Sequence, residues 1–251
     1  GKSIVLTIDV LFQNILEEEL IRSVTSAGAE SAIGIITEPK TGAILAMANV
    51  PRCDPNHAGG VLATIRRNRV VTDPFEPGST FKIIAAAAVL EDELARLDEK
   101  VFCELGEIAL ENGDIIRDHA PYDTLTFAQV IERSSNIGTI KIARRLQRKR
   151  FYEFIRNFGF GTRSGIELPA ESAGILQHVG KWSERSLETI AIGQEIGVTA
   201  LQLAQAFGAV ANGGDLMSPQ ILKSVLDTDG RVLERTQPKR IRRVISKATA
   251  S

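Results

Sequence analysis

Ser79 and Lys82 stand three residues apart in Glu76-Pro77-Gly78-Ser79-Thr80-Phe81-Lys82. Pro77-Gly78 marks a tight turn, and the alanine-rich run at 83–90 is built of strong helix formers. The spacing puts both side chains on one face at the start of a helix, within reach of each other. A hydroxyl at a helix N-terminus lies beside backbone N–H groups that can stabilise an oxyanion. A lysine partly desolvated beside it loses its charge and becomes a base. Together they form an acyl-transfer nucleophile. Read alone, Ser79 is an N-cap and Lys82 a surface charge. Composition by itself supplies about one Ser-x-x-Lys in such a length, so the pair takes its meaning from what surrounds it.

A second polar group, Ser134-Ser135-Asn136, separates two apolar segments. Locally these residues read as helix caps. In a catalytic reading, Ser134 relays a proton to a leaving group and Asn136 positions a substrate amide, which requires both to face Ser79 and Lys82. Other chemistries find little support. His57, His119 and His178 are scattered, without a His-Glu-x-x-His pattern, and no metal centre is indicated. Cys53 and Cys103 are far apart and can pair, but nothing requires it. With 30 basic and 31 acidic residues intermixed, the net charge of −1 leaves no nucleic-acid footprint.

The elements that must position these residues follow from periodicity. Leu11, Phe12, Ile15, Leu16, Leu20, Ile21 and Val24 make a helical stripe over 10–25, with Glu17-Glu18-Glu19 toward water and Gly28 as the stop. Apolar runs at 32–36 and 43–47 flank a turn at 38–42, a β-hairpin with both faces covered. A second hairpin is expected over 107–116, turning at Asn112-Gly113. Helices are expected at 126–132 with Thr126 as cap, from Asn136 through Leu146, over 151–158, and over 199–211 between Thr199 and Asn212-Gly213-Gly214. The basic run 144–150 reads as a solvated face. A last hairpin at 221–233 turns at Thr228-Asp229-Gly230. Strands, a long helical middle and strands again indicate an α+β fold with a helical insertion between two parts of one sheet. No run of 18 apolar residues and no signal peptide occurs. Residues 2–9 begin in an extended segment and 246–251 lack a clear stop, so the chain is expected to be part of something longer.

Glu76-Pro77-Gly78-Ser79-Thr80-Phe81-Lys82 followed by Ser134-Ser135-Asn136 resembles the transpeptidase domain of the penicillin-binding proteins, whose Ser-x-x-Lys motif is well known. Leu6-Thr7-Ile8-Asp9, the run from Pro39 through Met47, Phe158-Gly159-Phe160-Gly161, Gly165-Ile166-Glu167-Leu168-Pro169, Ile192-Gly193-Gln194 and Leu201-Gln202-Leu203-Ala204 agree in the same order. The likeness covers nearly the whole chain and is to the class B, monofunctional type that serves division and elongation. It implies a serine β-lactamase/transpeptidase-like fold, an antiparallel sheet with a helical subdomain, in one partial domain over 1–251. Within it, 1–50 carry the first helix and hairpin, 51–218 the mainly helical part with the motifs, and 219–251 the last strands. It implies a D,D-transpeptidase: Ser79 attacks the penultimate D-Ala of a peptidoglycan stem peptide, Lys82 takes its proton, Ser134 helps D-Ala leave, and Asn136 orients the peptide. β-Lactams would acylate Ser79 instead, and no metal or organic cofactor is implied. Other cell-wall synthesis or division proteins are implied as partners, with an N-terminal membrane anchor and a site outside the cytoplasmic membrane.

Two departures stand against the resemblance. The family's Lys-Thr/Ser-Gly strand motif is absent downstream of Ser134, and Lys40-Thr41-Gly42 lies in the first hairpin turn, upstream of the nucleophile. Since an oxyanion donor is worth ~3 kcal/mol, these residues alone imply a weak or inactive enzyme, and the hairpin at 32–47 is left with an exposed edge. Glu195 stands where the family has a small residue, and either changes a loop harmlessly or crowds the cleft. The alternatives are an inactive or β-lactam-sensing homologue, and a β-lactamase, which would need a deacylating base.

Overall fold

The computed structural model describes residues 1–57, 59–109 and 113–251. After strand β1 (Ser3–Leu6), helix α1 (Val10–Ala27) starts at Asp9, whose carboxylate accepts the Leu11 and Phe12 amides, and ends at Gly28 with φ +61°, a left-handed cap. Strands β2 (Ala32–Thr37) and β3 (Ile44–Val50) form the expected antiparallel hairpin. Its covering differs from expectation: Ile44, Ala46 and Ala48 of β3 are buried, whereas β2 is half-buried throughout. Helix α1 lies on this hairpin. The Gln13 side chain bonds both backbone groups of Met47, and Gly34 leaves room for Leu16, whose Cδ1 would stand 2.7 Å from a Cβ there. None of α1 is fully buried; Leu11 is 66% and Ile15 48% exposed.

Two short helices, α2 (Ala63–Arg66) and α3 (Arg69–Thr72), lead to a 3-10 turn at Gly78–Phe81 and then to α4 (Lys82–Glu91). The helix is apolar on nearly every side, and Ile84 through Val89 are buried. Strand β4 (Lys100–Phe102), the hairpin of β5 (Glu107–Ala109) with β6 (Ile115–Arg117), and β7 (Thr124–Thr126) follow, with β4 paired to β7. Asn112 of the anticipated turn lies outside the described residues. Helix α5 (Phe127–Glu132) opens with a capping box between Thr126 and Gln129. Next come α6 (Asn136–Ala143) and α7 (Arg148–Asn157), which buries Phe151, Phe154 and Ile155. The basic run is not a merely solvated face: Arg144 pairs with Glu188, Arg145 with Glu99 and Arg150 with Asp92.

Helix α8 (Ser186–Ala191), unforeseen in a segment without strong periodicity, precedes α9 (Ala200–Ala211), whose Thr199 and Gln202 form a second capping box. The chain closes with β8 (Asp215–Met217), β9 (Leu222–Leu226), β10 (Val232–Arg235), β11 (Arg240–Arg243) and α10 (Lys247–Ala250). Strands β1, β9 and β10 make one antiparallel sheet, and β11 pairs with β8. The Thr7 hydroxyl lies 2.7 Å from Ile44 O and 3.0 Å from Gln220 O, binding this sheet to the first hairpin. The strands at the two ends of the chain thus meet around the helical middle, in an α+β fold.

The core is centred on α4. Phe81, at its start, meets Phe160 edge-on with 5.1 Å between ring centroids, and both are fully buried. Deleting such a ring leaves a cavity that the neighbours fill only in part. Phe160→Ala is therefore expected to cost about 3–5 kcal/mol in urea unfolding, a loss well above that of any exposed position on α1.

Candidate active site

Lys82 is the first residue of α4 and only 2% exposed. Its Nζ donates to Ser134 O at 2.6 Å and to Ser134 Oγ at 3.0 Å. Burial pushes its pKa down to about 8, and the negative charge of Asp118 opposes that fall. An ammonium removed from water is costly unless it is hydrogen-bonded, and Ser134 supplies two acceptors.

Ser134 can do this because of its backbone. It sits between α5 and α6 with φ +55°, a left-handed conformation for a residue with a side chain. Its amide donates to Ile131 O at 3.1 Å, and the next amide, of Ser135, to Val130 O at 2.9 Å. The chain turns sharply there, and both Ser134 oxygens face Lys82. The strain, of order 1–3 kcal/mol, is offset by the two bonds to the ammonium.

The three residues of Ser134-Ser135-Asn136 divide their work. Ser135 is buried; its hydroxyl accepts the Gly138 amide at 2.9 Å and donates to Asp118 at 2.6 Å. Asn136 begins α6, and its Nδ2 donates to Arg117 O at 2.8 Å on the β5–β6 hairpin. Among the described residues its Oδ1 accepts no protein hydrogen bond.

Ser79 lies in the 3-10 turn and is exposed. The turn is clamped from the opposite side by the segment 192–195: Gly78 donates its amide to Gly193 O at 3.0 Å, and Glu195 its amide to Glu76 Oε1 at 3.0 Å. A Cβ on Gly193, which has φ +81°, would lie 2.0 Å from Gly78 O, so only glycine permits the approach. Among the described residues the Ser79 hydroxyl makes no hydrogen bond. The expected direct contact with Lys82 is therefore not formed, because the ammonium is taken up by Ser134.

Of the sequence-derived candidates, the structure brings Lys82 and Ser134 into contact, places Ser79 one helical turn before Lys82, and seats Asn136 at the head of the helix that follows Ser134. Asp118 was missed. It lies 17 residues before the Ser135 it binds, and no local pattern joins a carboxylate at a strand end to a helix start so far along the chain. Glu195 has φ +58°, a left-handed conformation uncommon for a residue with a side chain. Its carboxylate accepts from Ser186 Oγ at 2.7 Å and pairs with Arg185 Nε at 3.3 Å, and Arg185 also pairs with Asp114. Lys40-Thr41-Gly42 occupies the β2–β3 turn, with Gly42 against Ser218 O. Cys53 and Cys103 are both free thiols. Beside the Ser79 turn an apolar cleft of about 640 Å³ opens between β2 and α9, lined by Ile33, Phe75, Thr80, Leu203 and Phe207.

The model of the penicillin-binding protein transpeptidase domain family matches residues 32–251. Over its whole length the chain is 38% identical to penicillin-binding protein PbpB of Mycolicibacterium smegmatis, of which it spans 39%. It is 31% identical over 250 residues to a probable peptidoglycan D,D-transpeptidase PenA of Neisseria meningitidis, covering 99% of this chain and 42% of that protein. The chain thus spans about two fifths of the curated relatives it matches. Crystal structures of penicillin-binding protein 3 from Mycobacterium tuberculosis, in complexes with aztreonam and with ampicillin, are similar to it at TM-score 0.88 and 34% identity. They match the whole of this chain over 56% and 55% of theirs.

The buried lysine has a thermodynamic signature. Between about pH 8 and the ordinary lysine value of 10.5 the unfolded chain holds a proton that folded Lys82 has released. Stability contributed by this group therefore rises with pH across that window, by up to ~3 kcal/mol. Whatever Lys82→Met gains over wild type in urea melts at neutral pH is expected to shrink by that amount between pH 8 and 10.5. A difference independent of pH contradicts the buried, depressed amine.

Proposed function

The chain belongs to the penicillin-binding protein transpeptidase family, and on that premise we propose that it works as a peptidoglycan D,D-transpeptidase through an acyl-enzyme on Ser79. The observation that carries the reading is the Lys82 amine, buried, lowered toward neutrality and held by Ser134 one turn from an exposed serine.

With a pKa of about 8, roughly a tenth of Lys82 is neutral at pH 7. The neutral amine has a free lone pair and accepts the proton of Ser79 as Oγ bonds to the carbonyl carbon of the penultimate D-Ala. The carbonyl becomes an oxyanion beside the amides of the 3-10 turn. Its collapse breaks the peptide bond, and the leaving amine of D-Ala receives the proton from Lys82 by way of Ser134, which touches it. An amine of a second stem peptide then attacks the ester, forms the cross-link and returns the proton to Ser79. Asn136 presents its unoccupied Oδ1 to a substrate N–H. β-Lactams enter the same first step and stall at the ester. Stem peptides are the substrate class, the cell envelope outside the cytoplasmic membrane is the place of work, and other wall-synthesis or division proteins are the partners in this reading. Among the described residues no helix is long and apolar enough to cross a membrane.

Intact-mass detection of a penicilloyl adduct on the full-length protein tests it. Wild type is expected to gain one adduct and Ser79→Ala none, while Lys82→Ala reacts about 10²–10⁴-fold more slowly. The wild-type rate is expected to climb about tenfold per pH unit below pH 8 and to level above it, because the reactive form is the neutral amine. Label persisting on Ser79→Ala, or a wild type that takes none, overturns the assignment.

A further inference from the structure

Asp118 follows β6 directly, and its amide donates to Gly106 O at 3.0 Å across the hairpin. Its carboxylate collects three donors from one neighbouring segment: the Ser135 hydroxyl at 2.6 Å, the Asn136 amide at 2.5 Å and the Ile137 amide at 3.1 Å. Those two amides belong to the first turn of α6, where a helix has no acceptor of its own to offer. Ser135 completes the arrangement by accepting the Gly138 amide. The residues on both sides of Ser135 are the two that the mechanism uses. Ser134, in its left-handed conformation, holds the Lys82 ammonium, and Asn136 is anchored on Arg117, the neighbour of Asp118.

We propose that Asp118 is a positioning residue for acyl transfer: through Ser135 and the first amides of α6 it sets where the Ser134 oxygens and the Asn136 side chain stand relative to Lys82. The inference rests on the acyl-enzyme reading above and extends it to a residue that touches neither substrate nor nucleophile. A plain helix cap would stabilise α6 and do no more. Asp118 does more, because its charge also acts on Lys82, opposing the effect of burial. Several charged or titratable groups of the surrounding elements are engaged elsewhere. Lys141 pairs with Glu104, Arg144 with Glu188 and Arg150 with Asp92, while Glu91 accepts from Ser246 and Thr249. Arg133 lies over the Tyr122 ring, His119 bonds the Tyr122 hydroxyl, and the Cys103 thiol packs behind Ser135. Removing the Asp118 charge therefore lets Lys82 shed its proton at lower pH, while removing its hydrogen bonds loosens the Ser134-Ser135-Asn136 turn.

The test compares wild type, Asp118→Asn, Asp118→Ala and Ser135→Ala in two measurements. One is the rate of acylation by a fluorescent penicillin across pH; the other is amide exchange at Asn136 and Ile137 by NMR. In Asp118→Ala the plateau rate is expected to fall about tenfold to a hundredfold, the scale of a small misplacement of catalytic groups, and the two amides to exchange at least about tenfold faster. Asp118→Asn, which retains an acceptor without the charge, is expected to lose less at the plateau and to shift the acid limb to lower pH. Ser135→Ala, which removes only the hydroxyl bridge, keeps the comparison open if Asp118→Ala fails to fold, and is expected to slow the plateau with the acid limb unmoved. Wild-type rates and an unmoved acid limb in the Asp118 variants would overturn the inference, and so would faster exchange with unchanged acylation, which leaves Asp118 a helix cap. If wild type itself takes no label, the acyl-enzyme reading fails first. An NMR titration of the Lys82 ε-carbon, which needs no acylation, then decides: a midpoint lowered in Asp118→Asn together with faster exchange upholds the coupling of Asp118 to Lys82 through this turn, and an unmoved midpoint overturns it.

Discussion

An ammonium group that is 2% exposed has to be solvated by protein, and much of this structure can be understood as meeting that demand at Lys82. Desolvation of a charge costs several kcal/mol. Two acceptors on Ser134 and one neighbouring carboxylate offset part of it, and the remainder appears as a pKa lowered to about 8. In the proposed reaction, the incomplete compensation is what makes the lysine useful. A fully paired amine would stay charged at neutral pH and could accept no proton, whereas an unpaired one would destabilise the core into which α4 is packed.

The site is assembled from two half-shells that meet at this amine. One is the nucleophile turn, pressed from behind by the close approach of Gly78 and Gly193 and fixed below by the Phe81–Phe160 contact. The other is the turn between α5 and α6, strained at Ser134 and held by the Val130 carbonyl on one side and Asp118 on the other. Each positions its serine through backbone geometry rather than through contact between the serines themselves. This accounts for an exposed Ser79 without a hydrogen bond beside a lysine committed to Ser134: in the proposed reaction, the resting arrangement keeps the base on one shell and the nucleophile on the other. Glu195 belongs to the first shell. Its left-handed backbone is tolerated because Ser186 and Arg185 engage its carboxylate, and Arg185 reaches in turn to Asp114 on the hairpin that leads to Asp118.

Local signals were legible in the sequence wherever chemistry is local. Gly28, Thr126 and Thr199, read from the sequence as a stop and two caps, hold those places on α1, α5 and α9, while Asp9 as the cap of α1 and Gln129 and Gln202 as capping-box partners emerge only in the structure. The hairpins of β2 with β3 and of β9 with β10 follow their turn residues. Ser79, Lys82, Ser134 and Asn136 could be singled out only through the ordered stretches around them, since locally each also reads as a cap or a surface charge. What the sequence hid was nonlocal. Helix α8 has no strong period of its own, the pairing of β1 with β9 joins residues more than 200 apart (Ser3 with Leu226), and the ion pairs of Arg144, Arg145 and Arg150 reach other helices and loops. Asp118 acts across 17 residues, and the preference of Lys82 for Ser134 over Ser79 depends on a backbone conformation that no propensity scale encodes for serine.

That Lys82 is a buried amine with a lowered pKa is tested most directly by a titration of its own resonance. With ¹³C-labelled lysine and Lys82→Arg for assignment, the ε-carbon shift can be followed against pH in the intact domain. A Lys82 midpoint near 8 is expected, well below the ordinary lysine value of 10.5. A midpoint at that ordinary value would contradict the buried, depressed amine, and with it the proposed role of this amine as the base that activates Ser79.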